Sequence, residues 1–132
     1  MKSVLADTGP LYALVDPDDQ LHDRATSEAA RLSEQGLILV VAFPTLLEGQ
    51  SLILKRLGTS VACRWLGELT AGAGLLNPER DDYLAAAHRL RRFADQPITL
   101  CDAVVAVLAE QLYLSVWTFD HHFDVMGVAV WR

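Results

Sequence analysis

The sequence predicts an α/β fold, with a parallel sheet of about four to five strands and helices on both faces. Short runs of β-branched residues and leucine alternate with longer segments whose apolar positions recur at helical spacing. The central run is apolar throughout rather than at every second position, as in strands covered on both sides. A length of 132 residues suits a single domain spanning 1–132, and no linker, repeat or low-complexity stretch interrupts it.

Lys2 to Asp7 is a short apolar run ending on an acid and reads as a buried strand. Thr8-Gly9-Pro10 makes a turn that also suits a helix start, and Leu11 to Val15 a short apolar helix. Asp16 to Asp19 is a turn rich in capping residues. From Gln20 to Glu34, Leu21, Ala25, Ala29 and Leu32 mark one helix face, which Gly36 ends. Leu37 to Val41 is the second strand, and Pro44 opens a helix reaching about Leu57. Thr59 or Ser60 caps another helix through Leu69, and Gly74 to Leu76 is a short third strand. Asn77-Pro78-Glu79 opens a helix to about Phe93, and Thr99 caps one from Leu100 to Tyr113. Ser115 to Thr118 is the fourth strand, and Val128 to Trp131 is a candidate fifth.

Composition narrows the function classes. The chain is 52% hydrophobic, which argues against disorder. Its longest apolar stretch, Leu37 to Leu47, falls short of the ~20 residues a membrane span needs. No signal peptide is expected either, because Asp7 interrupts the first apolar run. A soluble, cytoplasmic protein is the resulting expectation. Eleven Lys and Arg against 17 Asp and Glu give a net charge of −6, which counts against broad electrostatic binding of nucleic acid. It leaves open an enzyme that reaches phosphate through a metal ion. Cys63 and Cys101 match no ligand spacing and are expected as buried free thiols.

The placement of the acids is more informative than their number. In an open parallel sheet, ligands sit beyond the carboxyl ends of the strands. Asp7 ends the first strand, Asp120 follows the fourth, and Glu48 lies just past the second. Asp102, in the first turn of its helix, is within reach of the same edge. Four converging carboxylates repel one another unless a cation compensates, and all-oxygen ligands favour Mg²⁺ or Mn²⁺ over zinc. Such ions activate water and neutralise charge on a phosphoryl group, which points to phosphodiester hydrolysis. Each acid also has a purely structural explanation. Asp102 and Glu48 suit helix N-termini, Asp120 suits a turn, and Asp7 suits a cap for the following helix. The apolar segments beside Asp7, Glu48 and Asp102 weigh against that, since lone acids there are costly.

These residues form an ordered set. Asp7-Thr8-Gly9-Pro10-Leu11-Tyr12-Ala13-Leu14, followed by Asp19 and His22, resembles the opening of PIN-domain nucleases, above all the VapC toxin group. Glu48, then Leu100-Cys101-Asp102-Ala103-Val104-Val105-Ala106, then Thr118-Phe119-Asp120-His121-His122-Phe123, resemble the later motifs in family order. The resemblance implies a Mg²⁺- or Mn²⁺-dependent endoribonuclease acting on RNA, inhibited by a small antitoxin and often a homodimer. It implies that Asp7, Glu48, Asp102 and Asp120 are the catalytic, metal-holding quartet, and that Thr8 and Thr118 are hydroxyl residues near the site. Gly9 stands where many members have serine. Asp124 matches less closely, either as a contact to a metal ligand or a metal-bound water, or as a solvated turn residue. A guanidinium from the antitoxin would suit a four-carboxylate pocket, with its helix anchored beside Leu52 to Leu57.

Other candidates carry plainer expectations. His121 and His122, being adjacent, cannot both face one metal from a regular element and are placed in a loop beside the pocket. His22 is expected to hydrogen-bond at a helix start. Cys101 lacks a histidine placed to activate it and is expected to pack in the core. Trp65, Trp117 and Trp131 read as core or interface residues. Lys55, Arg56 and Arg64 form one basic group, and Arg89, Arg91 and Arg92 another. Both read as solvated faces, with a local phosphate track as the alternative. A phospho-acceptor receiver domain is disfavoured, because it needs a lysine after a late strand and the chain has only Lys2 and Lys55. The more serious rival is a catalytically inactive PIN-like domain that binds protein. Loss of a quartet acid would favour it, and all four are present.

Overall fold

The computed structural model describes residues 2–132. Four strands, β1 (Ser3–Ala6), β2 (Ile38–Ala42), β3 (Gly74–Leu76) and β4 (Ser115–Trp117), form one sheet in the order β3-β2-β1-β4. Every pairing is parallel. Seven helices accompany them among the described residues: α1 (Thr8–Val15), α2 (His22–Glu34), α3 (Phe43–Leu57), α4 (Thr59–Gly72), α5 (Arg80–Arg91), α6 (Leu100–Leu112) and α7 (His122–Val125).

Strand alternation divides the core between the two faces of the sheet. Leu5, Ala42 and Val116 point to one face and pack with the buried stretch Ala103 to Ala109 of α6 and with Phe123. Val4, Ala6, Val41 and Trp117 point to the other, against Leu11, Leu46, Ile53 and Trp65 from α1, α3 and α4. Because β1 is central and covered on both sides, Val4, Leu5 and Ala6 are all buried. The α3–α4 contact is close: a Cβ added at Gly49 would lie 2.7 Å from the Trp65 ring. Gly58, at φ 91°, turns the chain between those helices, a conformation that side chains with a Cβ resist.

Several expectations change in detail. The expected fifth strand is a single bridge, Val116 to Val130, because the Val128 N–H turns back to Phe123 O and closes the end of α7. The turn at Thr8 to Pro10 is already helical, since Pro10 sits where no intrahelical N–H bond is needed. The helix expected from Asn77 starts at Arg80, where Glu79 and Asp82 form a reciprocal capping box. Helix α7 is too short for periodicity to reveal. No helix among the described residues is long and apolar enough to cross a membrane.

Candidate active site

The carboxyl edge of the sheet gathers the acids. Asp7 directly follows β1, and its backbone N–H still bonds to Trp117 O at 2.9 Å, so it is held against the end of β4. Glu48 stands in the second turn of α3, and Asp102 is the third residue of α6. Asp120 lies just beyond β4. Asp7, Glu48, Asp102 and Asp120 border a single open cavity of about 380 Å³, together with Gly9, Thr99 and Phe119.

Hydroxyl groups hold these carboxylates in place. Thr118 donates to Asp7 Oδ2 at 2.8 Å, and its Oγ1 accepts the Asp120 N–H at 2.9 Å. Thr8 donates to Glu48 Oε1 at 2.5 Å. Asp7 occupies the N-cap position of α1 yet makes no side-chain cap bond, so capping does not account for it. Asp102 does cap: Thr99 Oγ1 accepts the Asp102 N–H at 3.1 Å, and Asp102 Oδ2 accepts the Thr99 N–H at 3.4 Å. Its other carboxylate oxygen makes no bond among the described residues. Asp120 accepts the His122 N–H at 2.9 Å, a turn role that coexists with its place on the cavity.

Electrostatics mark the site as one that favours a cation. Burial pushes the Asp7 carboxyl up to about 7; the Thr118 hydrogen bond opposes this, and the nearby Asp102 and Glu48 charges add to it. Asp102 is raised too, chiefly by burial and further by Asp120 and Glu48, against the pull of Thr99. Burial, reinforced by Glu48, Asp7 and Asp102, pushes the Cys101 thiol up to about 12. It is therefore protonated at neutral pH and a poor nucleophile.

The remaining candidates fall elsewhere. Asp124 pairs with Arg132 at 2.7 Å and does not border the acid cavity. His22 Nδ1 lies 2.6 Å from Ala13 O at the start of α2, a structural hydrogen bond. His121 lies in the turn before α7 rather than in a regular element, which lets both adjacent imidazoles approach Asp120. His122 Nδ1 is 2.9 Å and His121 Nδ1 3.8 Å from Asp120 Oδ1, with the rings 4.3 Å apart. These three residues, rather than the quartet, form the group whose ligand atoms already lie within 4.8 Å of one another among the described residues.

Arg89 is no part of a solvated face. It is buried, bonds both Glu110 oxygens at 2.7 Å, and donates to Met126 O at 2.7 Å. Arg56 stacks over Tyr12, and none of Lys55, Arg56 and Arg64 borders the acid cavity. Cys63, expected inside, is exposed on α4. Trp65 and Trp117 are buried and Trp131 is half-buried. Thr99 borders the cavity although the sequence suggested only a helix cap; the Thr-x-x-Asp spacing to Asp102 is the signal that links them.

No family model matches the chain, and no curated protein matches it. Solved structures do. The toxin VapC20 of Mycobacterium tuberculosis, described as cleaving the sarcin-ricin loop, superposes with a TM-score of 0.85 at 20% identity over 98% of both chains. VapBC2 of Rickettsia felis, bound to a DNA fragment from its promoter, gives 0.76 at 11% identity, over 98% of this chain and 97% of that one. FitAcB of Neisseria gonorrhoeae gives 0.72 at 19% identity, over 98% and 96%. The chain thus has the fold of these proteins, the PIN-like α/β fold that its motifs imply.

Proposed function

We propose that this chain, built on the fold of VapC toxins, is a divalent-metal-dependent endoribonuclease and the toxin of a toxin–antitoxin pair. The observation that carries this is the convergence of four carboxylates from distant chain positions on one cavity at the carboxyl edge of a parallel sheet. The likeness to a toxin that cleaves the sarcin-ricin loop supports RNA as the substrate.

The donor set fits Mg²⁺ or Mn²⁺. Asp7, Glu48, Asp102 and Asp120 offer only oxygens, and the raised Asp7 and Asp102 carboxyls are those a bound cation would stabilise as anions. Once bound, the ion would supply an activated water and neutralise charge on the phosphate. The chain's own residues prepare the site. Thr118 fixes Asp7 and the backbone of Asp120, Thr8 fixes Glu48, and the Thr99 box fixes Asp102. Positioning these groups before substrate arrives reduces the reorganisation that reaction requires. With Cys101 protonated, the reading needs no covalent intermediate.

An antitoxin would inhibit by placing an arginine among the four acids, where a guanidinium binds carboxylates bidentately and competes for the same oxygens. A homodimer is part of the same reading. The primary test is RNA cleavage by purified protein. Activity with Mg²⁺ or Mn²⁺ that stops with EDTA is expected. No cleavage under any metal would favour the inactive protein-binding alternative.

A further inference from the structure

Beside the acid cavity lies a second cleft of about 360 Å³, a volume suited to a small ligand. Phe119 and Asp120 border both. Arg24, Arg31 and Arg132 line it, three of the eleven cationic side chains of an acidic protein. They come from the two faces of a junction between α2 and the C-terminal segment after α7. Two of them are stacked: the Arg24 guanidinium carbon lies 4.4 Å from the Phe119 ring centre, and that of Arg31 4.7 Å from the Trp131 ring.

Two of the three acids in this cleft are engaged with its arginines, and the third, Asp120, also borders the acid cavity. Glu28 accepts from Arg24 at 2.8 Å and from the Trp117 indole at 2.8 Å, and Asp124 is paired with Arg132 at 2.7 Å. Arg31 is exposed and forms no ion pair among the described residues, so its guanidinium edge is open to an anion. A stacked guanidinium keeps its N–H edge for phosphate, while an unstacked base can rest on an arginine plane or an aromatic face.

We propose that this cleft seats the nucleotide adjoining the phosphate held at the acid cavity, with Arg31 and Arg132 on its backbone and Trp131 beside its base. The proposal rests on the ribonuclease reading for what occupies the cavity. A single strand crossing from one pocket to the other passes Phe119 and Asp120, the residues common to both. An acidic chain thus gains a local phosphate contact without a basic surface.

Cleavage of single-stranded RNA in Mg²⁺ is compared for wild type, Arg31→Ala, Arg31→Ala/Arg132→Ala and, as a control outside the cleft, Arg91→Ala. KM is expected to rise about tenfold for Arg31→Ala and further for the double variant, with kcat within about threefold, as for lost uniform binding. Fluorescence anisotropy of a labelled RNA of about ten nucleotides, a length single-strand grooves cover, is measured in the Asp7→Asn background. The slope of log K against log salt should fall by about 0.7 per lost phosphate contact. Unchanged KM and slope in both cleft variants would overturn the subsite while leaving the ribonuclease reading intact. If wild type cleaves nothing, that reading fails, and anisotropy still decides the cleft: Arg31-dependent binding supports it, and its absence overturns it.

Discussion

The Thr118 hydroxyl donates to the Asp7 carboxylate at 2.8 Å, joining residues 111 positions apart at the ends of neighbouring strands β4 and β1. Both are buried, and Thr118 also accepts the Asp120 N–H. One hydroxyl therefore sets the position of two quartet members.

Removing that hydroxyl should impair the site more than the fold. Thr118→Val deletes the bond that pulls the Asp7 carboxyl downward, so Asp7 should become harder to ionise and bind a cation less well. Metal affinity and cleavage should each fall about tenfold, the scale of losing a group that orients a metal ligand. Thr118→Ser should retain most of both. Calorimetric Mn²⁺ titration of the two variants checks this; equal affinities would argue against the bridge.

Asp7 should also make the metal-free fold less stable as pH rises. A carboxyl that ionises at about 7 when folded and near 3.8 otherwise binds more protons in the folded state between those values. Stability therefore falls through that window, and the cost is fully present above it. Metal-free Asp7→Asn protein, which lacks this titration, should exceed wild type by on the order of a few kcal/mol at pH 8. The gap should close toward pH 4. Thermal melts across pH report it, and a gap independent of pH would contradict the assignment.

Arg89 should prove structural. Its truncation leaves the Met126 carbonyl unbonded and Glu110 unpaired at a position half open to solvent. Arg89→Ala should cost about 2 kcal/mol, between a surface and a buried ion pair. RNA affinity per folded molecule should not change. A stable variant with weakened RNA binding would return Arg89 to the substrate track.

The acids at strand ends were legible because a strand's last residue and the turn after it are local features. Asp7 follows Ala6 directly, and Asp120 lies three positions past Trp117, the last residue of β4. Asp102 was legible through its position in the first turn of a helix. Glu48 was the weakest, since only the three-dimensional crossing of α3 brings it to Asp7. The Arg24–Arg31–Arg132 cleft was not legible: Arg24 and Arg31 share a face of α2, but Arg132 stands at the far end of the chain and no local pattern joins it to them. Arg89 was misplaced for a related reason, because its partner Glu110 lies 21 positions away on α6. Helix spacing shows which residues share a face, but not what covers that face.

The four carboxylates are proposed to act together on RNA through a cation. Single-turnover RNA cleavage in Mg²⁺ by Asp7→Asn and Asp102→Asn, each first shown to melt as a folded protein, tests this proposal most directly. An amide keeps the shape of the carboxylate but not its charge, so each variant should lose at least about a hundredfold in rate, a few kcal/mol of barrier. Cleavage within a few fold of wild type in both variants, or cleavage that persists in excess EDTA, would contradict it.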